Sequence, residues 1–176
     1  PQQESLLETL AQVYWLTDQI PQALATMDQQ LQTSPDNVGV LRNKAAVFMK
    51  AKDFPQVQRQ LDRALKAAPN HLGALFLQVT LHMQNKAYSQ ATAVIDKILE
   101  LDAENVEALL HRAAIAIENK NYDQALPPLN TILKKQPAHS AALMNRAIAN
   151  LLSDRLDRAQ RDYERLKEIV PKLHAV

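Results

Sequence analysis

The chain has 176 residues, of which 47% are apolar and 22% charged, so it has the composition to bury a core and is not disordered. It contains no cysteine and only two glycines, Gly39 and Gly73. That removes disulfide frameworks, zinc–cysteine sites, thiol catalysis and the glycine-rich loops that cradle phosphates or dinucleotides. A formal net charge of +1 gives no global pull toward nucleic acid or an anionic membrane, and no apolar run approaches the roughly 20 residues of a membrane span. The opening Pro1-Gln2-Gln3, without methionine, reads as a trimmed or processed segment.

The elements follow from self-comparison. Prolines stand at Pro35, Pro69, Pro137 and Pro171, spaced by 34, 68 and 34 residues, and Ala103 occupies the missing position. With these residues at place 32, the chain divides without a gap into units 4–37, 38–71, 72–105, 106–139 and 140–173. Place 4 is leucine throughout (Leu7, Leu41, Leu75, Leu109, Leu143). Place 8 is small (Ala11, Ala45, Val79, Ala113, Ala147), as is place 20 (Ala23, Val57, Ala91, Ala125, Ala159). Place 17 (Ile20, Phe54, Tyr88, Tyr122, Leu156) and place 24 (Met27, Leu61, Ile95, Leu129, Tyr163) are large.

This pattern predicts a helix pair per unit, over places 2–14 and about 18–31. In chain order these are 5–17 and 21–34, 39–51 and 55–68, 73–85 and 89–102, 107–119 and 123–136, and 141–153 and 157–170. Small residues at places 8 and 20 let the paired helices approach, while places 4, 17 and 24 fill the space between them. Pro21 and Pro55, at place 18, suit a helix start where no hydrogen bond is lost. The place-32 proline stops the second helix. Pro127-Pro128 fall inside the second helix of unit four and are expected to disturb it.

These residues and spacings resemble the tetratricopeptide repeat, over residues 4–173. The resemblance implies an all-α, right-handed solenoid of five helix-turn-helix repeats, ten antiparallel helices in a single domain spanning 1–176. The family's frequent glycine at place 15 is here Asp18, Lys52, Lys86, Lys120 or Asp154. Its aromatic at place 11 persists only as Tyr14 and Phe48, giving way to His82, Ala116 and Asn150. Place 28, which faces the next unit in this family, is Leu31, Leu65, Leu99 and Leu133, then Lys167. That change reads either as a solvated end of the array or as an irregular inner repeat. Charge is uneven: unit one carries −5 and unit two +5, through Arg42, Lys44, Lys50, Lys52, Arg59, Arg63 and Lys66 against Asp53 and Asp62. A solvated face is the favoured account, since exposed ion pairs contribute about 0–1 kcal/mol; support of the one–two interface, or of head-to-tail association between molecules, is the alternative.

The resemblance also places the first helices along a concave groove. Its candidate partner-binding residues are Trp15, Arg42, Asn43, Met49, Phe76, Met83, Leu110, His111, Ile117, Met144 and Asn145, with Leu77, Ile148 and Leu151 beside them. So apolar a stripe suits a protein or peptide partner held through apolar anchors, with Arg42, Asn43, His111 and Asn145 setting orientation. Phe76, Leu110 and Ile148 fit equally well as packing between neighbouring helices. The carboxylate clamp of chaperone-binding members is not matched: windows starting at units one, two and three read Glu8, Gln12, Asn43, Gly73, Leu77, then Arg42, Ala46, Leu77, Glu107, His111, then Phe76, Thr80, His111, Ala141, Asn145. None supplies the positive charges that a carboxylate requires.

No catalytic residue, metal ligand set or cofactor motif emerges. His71 and His139 fall in inter-unit turns and are expected to be exposed; His82 replaces an aromatic as a half-buried filler; His111 lies one turn from Glu107; His174 is near the end. None has the i, i+4 partner of a helical zinc site or an oriented nucleophile. The reading is a non-enzymatic protein-interaction scaffold, with no nucleic-acid partner and no membrane insertion. A segment that guides substrate within a larger enzyme or export machine, or a self-associating module, are the alternatives.

Overall fold

The computed structural model describes residues 2–169, with side chains from residue 6. Pro171, His174 and the rest of the tail lie outside the described residues. Ten helices follow one another: α1 Gln2–Leu16, α2 Ile20–Thr33, α3 Val38–Lys50, α4 Phe54–Ala67, α5 Leu72–Gln84, α6 Tyr88–Leu101, α7 Val106–Glu118, α8 Tyr122–Lys135, α9 Ser140–Leu152 and α10 Leu156–Ile169. No strand occurs among the described residues. From unit two onward the helices occupy places 1–13 and 17–30, one residue earlier than the periodicity predicts, and two capping devices set those bounds.

The first device sits at place 34. Asn37 and Asn105 accept the backbone N–H of Val40 and Ala108 on Oδ1, both at 3.1 Å. His71 and His139 do the same through Nδ1 for Ala74 at 3.1 Å and Ala142 at 3.2 Å. Each satisfies one of the orphan amides at a helix start. The two histidines are thus half-buried caps rather than exposed turn residues.

The second device closes every first helix. Asp18, Lys52, Lys86, Lys120 and Asp154, at place 15, all have φ between 55° and 61°. The place-16 amide reaches back to the place-11 carbonyl, as in Gln19 to Tyr14 at 2.8 Å and Asp53 to Phe48 at 3.0 Å, while the place-15 amide bonds place 12. This is a Schellman turn, whose left-handed residue is usually glycine. In this chain aspartate and lysine bear the strain.

Proline at place 32 is not what ends the second helix. Unit three, with Ala103 there, ends its helix at the same place as the others, through the same Asp102 amide to Ile98 carbonyl bond (2.9 Å). Nor do Pro127 and Pro128 break α8, which runs unbroken past them. They remove two amide donors, but Pro128 is buried in the core and the Thr131 hydroxyl donates to the Pro127 carbonyl at 3.2 Å. The packing of Ala125, Leu129, Ile132 and Leu133 holds the helix through the gap.

The chain forms two compact units, 1–94 and 95–176. In the first, Leu41, Ala45, Val57, Leu61 and Ala64 form the centre of the core with Ala11, Met27 and Leu31. In the second, Leu109, Ala113, Ala125, Leu129, Leu143 and Leu166 do so. The small residues expected at places 8 and 20 are buried at Ala11, Ala23, Ala45, Val57, Val79, Ala91, Ala113, Ala125 and Ala159, while Ala147 is half-buried.

Charge follows the repeat as well. At place 7, Lys44 pairs with Asp28 at place 25 of the preceding repeat, and Arg112 pairs likewise with Asp96. Arg146 reaches the equivalent Asn130 at 2.8 Å and also grips Asp162 with two bonds, of 2.8 and 2.6 Å. Lys50 pairs with Asp18 at 2.6 Å. The opposite charges of units one and two therefore do meet across their interface. The solvated account holds for Lys50–Asp18, but the Lys44 side chain is only 11% exposed.

Two stability predictions follow from these devices. Lys86→Gly is expected to stabilise by about 0.5–1 kcal/mol, because relief of left-handed strain exceeds the entropy glycine adds to the unfolded chain; the melting midpoint should rise by roughly 2 °C, and Lys86→Ala should give no such rise. Arg146→Ala leaves the carboxylate of Asp162, 7% exposed, without its partner. It should cost roughly 3 kcal/mol in urea unfolding, and Arg146→Met with Asp162→Leu distinctly less.

Candidate functional site

Within the first unit a cavity of about 750 Å³ opens between α1 and α3, floored by the end of α2. It is in the size range of ligand-binding clefts. Three of the sequence-predicted residues meet there: Trp15 from α1, and Arg42 and Asn43 from α3. The repeat explains their convergence, since places 5, 6 and 12 of successive first helices face the same side. Glu8 and Gln12 complete the α1 wall, Met27 and Gln30 come from α2, and Gly39 stands at the mouth.

The lining combines three chemistries. Trp15 is half-buried against the first core, and the Lys50 ammonium lies 5.0 Å from its ring centroid, a cation–π contact. Side-chain amides from Gln12, Gln30 and Asn43 carry both donors and acceptors. Glu8 and Arg42 supply opposite charges, and Arg42 Nη1 donates to Asn43 Oδ1 at 2.9 Å. A Cβ built on Gly39 would meet nothing closer than Asn37 Oδ1 at 3.4 Å, so the mouth has room for a side chain.

The remaining candidates lie elsewhere. Met49 and Leu77 are half-buried and pack on the first core. Phe76 and Met83 are half-buried on α5. In the second unit, Leu110 and Ile117 pack against that unit's core. His111, Asn145 and Ile148 are half-buried, whereas Met144 and Leu151 are exposed at 50% and 55%. Glu8 and Gln12 stand at groove places 5 and 9 but are not among the sequence-predicted site residues; Gln30 lies on a second helix, and only the tertiary arrangement brings it to the wall. Among the described residues no three His, Asp or Glu side chains cluster as a metal site. No described helix is long and apolar enough to cross a membrane.

Tetratricopeptide repeat family descriptions match residues 42–106 and 110–173, and a second one matches residues 82–137. The chain belongs to the tetratricopeptide repeat family. Among solved structures, it is similar to a tetratricopeptide repeat protein from Parabacteroides merdae at 24% identity and a TM-score of 0.80, over 96% of this chain and 66% of that one. The chain thus spans slightly under two thirds of that relative's length. It resembles MamA from Desulfovibrio magneticus RS-1 at 13% identity and a TM-score of 0.85, over 99% of both chains. YrrB, described as a tetratricopeptide repeat protein with an unusual peptide-binding site, aligns at 16% identity and a TM-score of 0.73, over 92% of this chain and 83% of that one. At such identities the likeness concerns the fold. No curated protein matches the chain in sequence.

In this tetratricopeptide chain three residues of the first clamp window, Glu8, Gln12 and Asn43, line the cavity, while Gly73 and Leu77 do not. Asn43 is kept, but the basic residue of chaperone-binding relatives is replaced by Glu8. A terminal carboxylate would meet a like charge there.

Two histidines on first helices carry a pH dependence. Burial holds the His82 imidazole below the ordinary histidine range. It does the same at His111, where the nearby Glu107 carboxylate works in the opposite direction. The unfolded chain takes up these protons near pH 6.5 and the folded chain only at lower pH. Stability is therefore full above that value and falls as the solution is acidified through it. The melting midpoint should be lower at about pH 5 than at neutrality, and His82→Phe with His111→Leu should flatten the difference; an unchanged slope would refute the assignment.

Proposed function

We propose that this tetratricopeptide protein is a non-enzymatic interaction scaffold that holds an extended peptide segment of a partner in the α1–α3 cavity. Tetratricopeptide domains bind protein partners, and the observation that carries the reading is the convergence of Trp15, Arg42 and Asn43 on one cavity. Side-chain amides pair with the N–H and C=O groups of an extended backbone, and the indole and Met27 offer apolar area for an anchoring side chain. Glu8 and Arg42 favour an internal segment, neutral or of mixed charge, over a chain end bearing a free carboxylate. The peptide-binding site named for YrrB supports the idea that this fold carries such sites.

The second unit offers the same register. Met144 and Asn145 occupy on α9 the places held by Arg42 and Asn43 on α3, with His111 and Leu110 at those places on α7. They form a secondary, more apolar contact surface in this reading. Met49, Phe76 and Met83 in the first unit, and Ile117 in the second, act chiefly as supports within their own units in this reading.

Trp15 is the only tryptophan, so its fluorescence reports on the cavity without labelling. A pooled library of peptides blocked at both ends should contain members that shift this emission. Gly39→Leu at the mouth and Arg42→Glu should each weaken the response at least tenfold while helical content is unchanged. Binders that demand a free C-terminal carboxylate, or that ignore Gly39→Leu, would overturn the proposal.

A further inference from the structure

Unit one departs from the repeat at a core place. Place 27, on the second helix, is Ala64, Ile98, Ile132 and Leu166 in the later units, all 5% exposed or less. In unit one it is Gln30, at 8%. The Gln30 carbonyl accepts the Ser34 amide at 2.9 Å, but its side-chain amide has no hydrogen-bond partner among the described residues. A buried carboxamide left unpaired costs stability, and this one lines the α1–α3 cavity. The cavity exists because α3 presents short side chains there. Asn43 and Ala46 stand where α5 carries Leu77 and Thr80.

The cavity is layered. Its buried walls are Ala11, Met27, Val40 and Val47, all apolar, and Gln30 is the one polar side chain at that depth. Glu8, Gln12 and Arg42 are exposed and form the rim. We propose that the anchor seated in this cavity is a tyrosine of the partner segment, its ring against the apolar walls and Trp15 and its hydroxyl on the Gln30 amide. This inference rests on the peptide-binding reading above and specifies what that peptide must carry. Apolar walls beside an indole favour an aromatic ring. A phenylalanine or leucine would leave the buried amide facing carbon, and a site built around a polar group rejects such analogues. A phenol can donate to the amide oxygen or accept from its nitrogen, whereas an indole can only donate. A charged side chain would lose its water with no opposite charge at that depth.

The probe is a library of peptides blocked at both ends, selected on the unaltered chain and read by Trp15 emission. Tyrosine should be enriched at one fixed position among the binders. Its replacement by phenylalanine in a selected peptide should weaken binding about tenfold. Gln30→Met keeps the length and helix propensity of the side chain and removes the amide. That variant should retain its melting curve and bind the phenylalanine peptide at least as tightly as the tyrosine one. If it loses helical content instead, the comparison of the two peptides on the unaltered chain decides alone. Binders without a common tyrosine, equal binding of the phenylalanine form, or a tyrosine preference that survives in folded Gln30→Met would overturn this inference and leave peptide capture standing. A library without any binder would overturn both.

Discussion

From α3 onward, each first helix in this protein has a face that its own partner helix cannot cover, and the second helix of the preceding repeat covers it. Places 3 and 10 bury apolar side chains there, and place 7 sets a base against place 25 of the neighbour, as in Lys44–Asp28, Arg112–Asp96 and Arg146–Asn130. A helix pair of this size is too small to be stable by itself, so this stacking term makes a fold out of the repeats. It also brings places 5, 6 and 12 of adjacent first helices to one side, which is how Trp15, Arg42 and Asn43 come to share a cavity.

Stacking works only if every repeat turns its chain through the same angle, and the backbone devices enforce this. The left-handed residue at place 15 recurs five times within a few degrees of φ, although glycine never occupies it. The caps at place 34 recur four times with two chemistries, a carboxamide oxygen or an imidazole nitrogen. Tolerance of lysine and aspartate at a strained position shows how far packing overrides local preference. Pro127-Pro128 make the same point: α8 continues through two missing donors because its buried face is fully engaged.

The helices, their order and most of the core were legible in the 34-residue period, because burial repeats with the chain. Leu41, Leu75, Leu109 and Leu143 at place 4 proved buried as the pattern required. The site was legible only in part. Arg42, Asn43 and Trp15 could be found because they sit on the first helices at repeating places. Gln30 could not, since it lies on a second helix and reaches the cavity wall from below. Leu110 and Ile117 occupy groove places and also pack against the core, because the inner edge of each first helix serves both roles.

By itself, the sequence determined the family, the helix pairs and the absence of chemistry-bearing motifs, because periodicity and composition are one-dimensional properties that survive translation along the chain. It also determined which charges stand at the places a chaperone-type clamp would use, since charge at given places needs no coordinates to read. Tertiary structure decided which of the groove residues converge, which side chains cap the turns, and that opposite charges of the first two repeats meet as ion pairs. Those outcomes depend on distances between elements, and such distances arise only when one repeat packs upon the next.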